Sequence, residues 1–420
     1  MHGSSHPPRT RSRETLRNDL GLEAVLSQVV AYLQPVVSVR ERGVRLVESL
    51  ARGVDATGRV RPPAELFAEA VRGGYVRQLG DRCRREAFAA YRLVQDGDRT
   101  PMLSINTDSS LVLEGSAGAQ RLVDEVLEMG IAPSSVALEI LESALSDAQK
   151  LEEFCRAVKR AGFLVALDDV GTGHSNLERI PRLEPDILKI DRQLVHGMSE
   201  SYHRREVFRS LLQLAHQIGA LAIAEGVETE NDVRTALSLG CDLFQGFYFG
   251  QPLDPRSNEA LCDLGRLREA GDQFRTDSKR RLSERRLRQR RSEQAMRALV
   301  ATLKESTEEQ LPEVLREALQ SMPFVEALYV LDDRGVQIID TVHRAVSSRQ
   351  GLFRPSPAGT DQSLKQYFFM LHAGLERFTS DPYISMASGN FCITMSRFFT
   401  NLLGHNYVLC CDLMVPRQSL

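Results

Sequence analysis

Residues 163–169 read FLVALDD, five apolar residues followed by two adjacent aspartates. A short apolar run predicts a strand that is buried on both faces, as in a parallel sheet. Comparable runs occur at intervals on both sides of it. They are AYLQPVV (31–37), VRLVESL (44–50), PMLSIN (101–106), SVALEI (135–140), DILKID (186–191), LAIAEG (221–226) and DLFQGFYF (242–249).

Most of these runs are separated by amphipathic, helix-like stretches, many of which end at a glycine, the residue that best tolerates the left-handed C-terminal position. Eight strands with intervening helices over about 240 residues are what a (βα)8 barrel requires. A doubly wound open sheet is the alternative, and periodicity alone does not separate the two folds.

Polar side chains lie at the ends of the predicted strands: Glu48, Asn106, Glu139, Asp168, Asp169, Lys189, Glu225 and Gln245. In a parallel barrel these ends converge on one face, where active sites are built. Clustered carboxylates repel one another unless a cation joins them, and oxygen-rich ligand sets favour Mg²⁺ or Mn²⁺. The adjacent Asp168 and Asp169 could bridge two ions, an arrangement typical of in-line attack on a phosphodiester.

A glycosidase is the rival interpretation, because barrels often carry two acids for that reaction. The excess of carboxylates and the absence of tryptophan, which would stack against a sugar, count against it.

The composition is that of a folded chain of two or three domains. Of its 420 residues, 26% are charged and the net charge is −3, which excludes a disordered or collagen-like protein and gives no global preference for nucleic acid. Seven dispersed cysteines without CxxC spacing argue against a disulfide framework or a structural zinc site. With no apolar run of about 18 residues and no secretory signal, we expect a cytoplasmic protein without a membrane span.

Six segments carry a resemblance to a known family: ESL (48–50), LEILES (138–143), DDVGTGHS (168–175), PDILKID (185–191), AEGVET (224–229) and QGFYFGQPL (245–253). In this order they resemble the motifs of the EAL domain family of cyclic di-GMP (c-di-GMP) phosphodiesterases, over residues 25–255. The resemblance implies a modified TIM barrel and hydrolysis of c-di-GMP to linear pGpG with two Mg²⁺ or Mn²⁺ ions.

The resemblance also assigns roles. It makes Glu48, Asn106, Glu139 and Asp168 ligands of one ion. Asp168, Asp169 and Glu225 would hold the second ion. Gln245 would position a metal-bound water molecule. Lys189 would orient the attacking water and contact the substrate, Glu225 is also a candidate general base, and Glu228 is a further acidic position near the lysine. Gln34 and Arg52 match substrate-contacting positions, and Glu142 matches the residue that anchors the loop from Gly171 to Asn176.

Several residues depart from the family pattern. Val170 and His174 replace the usual Phe and the frequent Tyr of the loop, and Gly53 replaces a Trp after the signature. No metal ligand is lost, which favours an enzyme. The alternative is a catalytically silent receptor that binds c-di-GMP and signals by conformation.

A strongly basic stretch follows the predicted barrel. Residues 275–291 contain nine Lys or Arg and only two acidic residues, and no Pro or Gly interrupts residues 272–310. We expect an exposed connector helix. Nucleic-acid binding is disfavoured because no aromatic residue is interleaved for base stacking, and RNA or anionic lipid is a remote alternative.

The C-terminal third predicts a small α+β domain. Residues 325–331 and 336–339 around a turn at 332–335 predict a hairpin, an amphipathic stretch follows at 363–378, and three strand-like runs close the chain. Tyr383 and Asp412 lie in segments that resemble PAS-like or Cache-like sensors. They are candidate ligand contacts, although a core Tyr and a strand-end Asp are favoured.

The predicted organisation is therefore an N-terminal arm (1–20), an EAL barrel (21–262), a basic connector helix (263–305) and a regulatory domain (306–420). We expect a homodimer, with an unknown small ligand or none in the regulatory domain.

Overall fold

The computed structural model describes residues 22–95, 97, 100–140, 147–171, 177–344 and 353–415. The predicted N-terminal arm lies outside these residues. The chain forms two compact units, one ending at Ser278 and the other beginning at Lys279.

An eight-stranded closed barrel forms the first unit, as predicted. Its strands are β1 (Val29–Ser38), β2 (Gly43–Val54), β4 (Met102–Asn106), β5 (Val136–Ile140), β6 (Leu164–Val170), β7 (Ile187–Ile190), β8 (Leu221–Ala224) and β9 (Leu243–Gln245). The short β3 (Val60–Arg61) pairs with β2 outside the ring. Neighbouring strands from β2 to β9 are parallel, so seven strand ends with polar residues share one face.

The first strand departs from the expected parallel arrangement. β1 is antiparallel to both β2 and β9 and closes the ring between them. The cause is the connection from Ser38 to Gly43, which is a hairpin turn, whereas a parallel crossover requires a dozen residues or more. The hairpin register places Gln34 directly opposite Glu48.

Helices cover the outside of the barrel, and each predicted helical stretch in the described residues is found. Their bounds are Pro63–Gly73, Val76–Arg92, Ser109–Leu113, Ser116–Glu128, Ala148–Ala161, Ile180–Leu183, Arg192–Val195, Tyr202–Gln217 and Glu230–Leu239, with 3-10 turns at Pro133–Ser135 and Leu177–Arg179.

Local sequence explains the helix ends and the buried faces. The Asp147 side chain accepts from the Lys150 N–H at the start of one helix, and Gly162 ends that helix in the left-handed conformation. Its apolar face, with Leu151, Phe154 and Val158, is buried against the strands. A second, smaller apolar layer lies inside the barrel.

A 41-residue helix, Leu264–Lys304, contains the basic stretch. We call it the basic helix. None of the helices in the described part of the chain has the length and apolar character that a membrane crossing requires.

The second unit is an antiparallel sheet with two short helices, Leu311–Ser321 and Gln366–His372, and a 3-10 turn at Glu308–Gln310. Its strands are β10 (Val325–Leu331), β11 (Val342–His343), β12 (Arg377–Thr379), β13 (Tyr383–Ile384), β14 (Phe391–Thr400) and β15 (Asn406–Met414). The order is β11-β10-β15-β14-β12, with β13 also paired to β14.

The predicted hairpin after β10 is only partly correct. The turn lies at residues 332–335, and the chain after it returns antiparallel to the end of β10, where Gln337 pairs with Leu331 and the Ile338 N–H donates to the Val330 carbonyl. This pairing is short, and the regular strand that pairs farther back along β10 is β11. The Gln337 N–H donates to the Thr360 carbonyl, and the Gln337 side-chain amide donates to the carbonyls of Ile339 and Ser356. These bonds join the returning segment to residues 356–360 as well as to β10.

Gly246 fixes the chain directly after Gln245. A Cβ atom there would lie 2.1 Å from the Val227 carbonyl oxygen and 2.3 Å from its nitrogen, both rigid backbone atoms. We expect Gly246→Ala to destabilise the barrel by about 1–3 kcal/mol or more, since the backbone must shift to relieve the clash. Thermal unfolding followed by circular dichroism measures this.

Gly43→Ala is the matched control, because its Cβ would meet no atom within 4 Å. Equal unfolding midpoints for the two variants would show that Gly246 imposes no steric constraint.

Candidate functional site

Lys189, on β7, lies at the centre of the parallel strand ends. Its Nζ atom is 2.8 Å from Glu225 Oε1, 2.9 Å from Glu139 Oε1, and 3.3 Å from both Glu48 Oε2 and Asp168 Oδ1. Only 2% of the lysine is exposed. One ammonium group is therefore shared by four carboxylates in a region with little water.

Strand geometry brings these side chains together. Glu139 and Asp168 lie near the ends of β5 and β6, and Glu225 directly follows β8. Glu48 lies in the middle of β2, in the part that pairs with β4. Residues far apart in sequence meet because parallel strands end on the same face of a barrel.

Two amides and a hydroxyl complete the polar cluster. The Gln245 side-chain amide donates to Glu48 Oε2 and, over 3.3 Å, to Gln34 Oε1. The Ser104 hydroxyl donates to Glu139 Oε1 over 2.7 Å. The antiparallel β1 is what allows Gln34 to join a cluster otherwise supplied by parallel strands.

Burial and the charge of Lys189 shift the pKa values of the clustered carboxylates in different directions. Burial raises the pKa of Glu139 well above its ordinary value, and the charge of Glu48 raises it further. Burial also raises the pKa of Glu225, to about 8, against the opposing attraction of Lys189. For Glu48 the lysine charge and the hydrogen bond from Gln245 outweigh burial, so its pKa is lowered.

The lysine itself remains a cation. Burial alone would lower its pKa, but the four surrounding carboxylates outweigh burial and raise the pKa well above the ordinary value. This cation stabilises negative charge in the site.

Three carboxylates form a group that fits a metal ion. Asp168, Asp169 and Glu225 each offer an oxygen, and these atoms lie within 4.8 Å of one another. They are the residues predicted for the second ion. Asp169 has a φ of 56°, a conformation uncommon outside glycine, where the pairing of β6 with β7 shifts register.

Buried oxygens without hydrogen-bond donors support the same assignment. Glu139 Oε2 and Gln245 Oε1 have no hydrogen-bond partner among the described residues, and Asp168 Oδ1 has only its ion pair with Lys189. An all-oxygen donor set with free acceptors is the chemistry that Mg²⁺, Mn²⁺ or Ca²⁺ accepts.

A cavity of about 250 Å³ opens onto this cluster. It is lined by the predicted residues Gln34, Glu48, Asp168, Lys189, Glu225, Glu228 and Gln245. Glu228 lies at the rim with an exposed side chain.

Two other predicted site residues, Asn106 and Arg52, do not line this cavity. Asn106, at the end of β4, has an exposed side chain that lines a separate cavity of about 300 Å³. The Arg52 guanidinium donates to the Ala51 carbonyl and lies 5.8 Å from the centre of the Tyr32 ring, and burial lowers its pKa. Glu142 and most of the predicted loop, residues 172–176, lie outside the described residues.

Sequence reasoning missed several residues of the site. Arg192, Phe247 and Leu50 line the cavity beside the predicted set, as does Asp191, the last residue of a quoted motif. Ser104 was also overlooked. It precedes Asn106 by two residues, and the period of two along a strand could have placed it on the same face.

The chain is similar to known proteins of one family. The family model of the EAL domain matches residues 14–252, more than half of the chain. The chain belongs to the EAL domain family. The EAL-domain containing protein YkuI of Bacillus subtilis is 26% identical over 381 residues, 88% of this chain and 91% of YkuI.

Solved structures extend the comparison. The crystal structure of YkuI with its substrate c-di-GMP and calcium has a TM-score of 0.78 and 26% identity, covering 94% of this chain and 98% of YkuI. A structure of the Pseudomonas aeruginosa MucR phosphodiesterase with c-di-GMP has a TM-score of 0.51 and 27% identity, covering 56% of this chain and 97% of that one. The chain spans only 30–36% of the length of several curated relatives that match its EAL barrel.

A separate polar network lies in the second unit. Asp412 is inside β15, not at a strand end, and is 3% exposed. Its Oδ1 accepts from the Thr394 hydroxyl over 2.8 Å and from the Tyr329 hydroxyl over 3.4 Å. The Tyr383 hydroxyl lies 2.6 Å from Thr394 Oγ1, so both candidate contacts belong to one hydrogen-bonded chain.

Removal of Lys189 tests the central interaction of the EAL site. Lys189→Met leaves four carboxylates without their shared cation, and we expect a loss of about 3–5 kcal/mol in unfolding free energy without divalent ions. Added Mn²⁺ should recover part of this loss by replacing the missing charge. Calorimetry with and without Mn²⁺ measures both effects.

Lys159→Met is the control, because Lys159 is partly exposed and its nearest carboxylate oxygen is 3.6 Å away. A Lys189 variant no less stable than this control would contradict the shared-charge interpretation.

Asp412 predicts a pH dependence of stability. Burial, with the Glu326 charge adding to it, raises the pKa of Asp412 to about 6, above the value of about 3.9 in an unfolded chain. The folded state therefore holds its proton longer, and stability should fall by about 3 kcal/mol as the pH rises from about 4 to above 6. Asp412→Asn should abolish this slope in calorimetric unfolding of the second unit.

The exposed Asp381 supplies the control variant, Asp381→Asn, which should retain the slope. Identical slopes in the parent chain and in Asp412→Asn would disprove the assignment.

Proposed function

We propose that this chain hydrolyses c-di-GMP to linear 5'-pGpG with two divalent ions, Mg²⁺ or Mn²⁺. The observation that supports the proposal best is one buried lysine in contact with carboxylates from four strands, beside a three-carboxylate metal group. NbdA of Pseudomonas aeruginosa, a c-di-GMP phosphodiesterase, supports it as a relative, with 28% identity over 57% of this chain and 30% of NbdA.

The residues divide the work of binding. Glu48, Asn106, Glu139 and Asp168 would hold one ion and Asp168, Asp169 and Glu225 the other. Bound there, the ions would neutralise the phosphodiester charge and acidify water. The cavity of about 250 Å³ suits the reacting phosphodiester, with the guanosines extending beyond it. Gln34 and Arg52 are the proposed substrate contacts outside the metal set.

The reaction requires a water oxygen to attack phosphorus while the bond to the 3' oxygen breaks. Glu225 would take a proton from the water in its ionised form, which the positive charge of Lys189 favours against the burial that raises its pKa to about 8. Lys189 would orient the water and stabilise charge on the phosphoryl oxygens. The 3' oxygen leaves with a proton, and the phosphate stays on the 5' oxygen, as in pGpG.

Regulation and assembly complete the proposal. Residues 306–420 would form a PAS-like or Cache-like regulatory domain joined to the EAL domain (21–262) by the connector (263–305). The working unit would be a homodimer.

Product release tests the activity. We expect Glu48→Gln to lower the rate of pGpG formation about a hundredfold or more. The glutamine amide has nearly the same shape as the carboxylate but lacks the negative charge of the proposed metal ligand. Chromatographic detection of pGpG with Mg²⁺ or Mn²⁺ measures the rate.

Glu128→Gln, at an exposed helix position, should keep the parent rate. Tight c-di-GMP binding by the parent chain with no product under either ion would instead establish the receptor function.

A further inference from the structure

The middle of the basic helix is a segment of unusual charge. Residues 279–291 read KRRLSERRLRQRR, with eight Lys or Arg and one Glu, a net charge of +7. All thirteen side chains are exposed. We call these residues the basic segment. The whole chain carries only −3, so this segment differs sharply from its surroundings.

Five arginines of the basic segment have no acidic partner within the described chain. Arg281 and Arg285, like Arg286 and Arg290, are four residues apart, a spacing at which like charges destabilise a helix. Among the described residues, these four arginines and Arg288 form no ion pair, although elsewhere on the same helix Arg275 pairs with Asp272. The segment therefore retains repulsion that a polyanion would relieve.

The distribution of side chains excludes several occupants. Leu282 and Leu287 are five residues apart, about 140° around the axis, so the segment has no apolar face to insert into a membrane. A second copy of the segment would bring +7 against +7. Single-stranded nucleic acid is held by stacking on aromatic rings, and none occurs here.

Duplex DNA fits the remaining requirements. The segment is about 20 Å long, and B-DNA carries about one phosphate charge per 1.7 Å, so about twelve phosphates face eight cations. An α-helix about 10–12 Å across enters the major groove, which is about 12 Å wide. Cations on all sides of the helix can then reach phosphates on both groove walls.

We propose that the basic segment docks in the major groove of duplex DNA and holds it through backbone phosphates. The net charge of the chain disfavours nucleic acid at the level of sequence, but it does not describe the charge of a local patch. The lack of aromatic residues disfavours single strands, but the bases of a duplex are already stacked on one another. This surface is independent of the phosphodiesterase site and does not rest on its activity.

Fluorescence anisotropy of the full chain with a labelled 24-base-pair duplex tests the proposal. We expect micromolar binding at 100 mM NaCl, with log K falling against log salt at a slope of about −4 to −7. The same-sequence single strand should bind at least tenfold more weakly, and anionic phosphatidylglycerol vesicles should not bind.

Arg285→Gln/Arg288→Gln/Arg291→Gln should reduce the slope by about 2–3 and the affinity at least tenfold. The matched control, Arg72→Gln/Arg156→Gln/Arg160→Gln, removes the same charge from exposed positions on other helices and should change neither quantity by more than about twofold. Arg285→Lys/Arg288→Lys/Arg291→Lys should preserve binding, and circular dichroism should show unchanged helicity in all variants.

No duplex binding by the parent chain, binding to vesicles but not to DNA, or equal losses in the two triple variants would each overturn the proposal.

Discussion

The buried ammonium of Lys189 is the interaction on which the EAL site depends. Four carboxylates around one lysine leave the cluster with excess negative charge, and burial makes each uncompensated charge costly. The protein meets this cost partly by protonation, as the raised pKa values of Glu139 and Glu225 show. A divalent cation would satisfy the remaining acceptors, so the excess negative charge suits the cluster to bind a metal ion.

The barrel imposes this arrangement because it admits little adjustment. Gln245 can donate to Glu48 only while Gly246 allows the chain to pass the Val227 backbone. Gln34 reaches the same cluster only because the tight turn after β1 reverses the strand. Two backbone constraints with no charge of their own thus position two of the amides around the lysine.

Much of the fold could be predicted from sequence because the strands of this barrel are short apolar runs that end in polar residues. The carboxylates and Lys189 could be found because parallel strands gather such ends. The reversal of β1 could not, because the same apolar run suits either direction and only the length of the next turn decides. Asn106 and Arg52 show the same limit: position on a strand predicts the face but not the contacts of a flexible side chain. The turn after β10 and the antiparallel return of the chain could be predicted, but the short length of that pairing could not, because the Gln337 side chain bonds to the carbonyls of Ile339 and Ser356.

The buried acidic side chains of the barrel and of the second unit have different partners and different pKa values. In the barrel a cation lies within 3.3 Å of each of four carboxylates, and it holds Glu48 ionised, while burial still raises the pKa of Glu225 to about 8. Asp412 instead has hydroxyl partners, Thr394 and Tyr329, and its pKa rises to about 6. Hydroxyls donate to a carboxylate but bring no charge to repay its desolvation. Asp412 therefore changes protonation near pH 6, whereas in the lysine-bound cluster Glu48 stays ionised and Glu225 changes protonation near pH 8, so the two units respond to different ranges of pH.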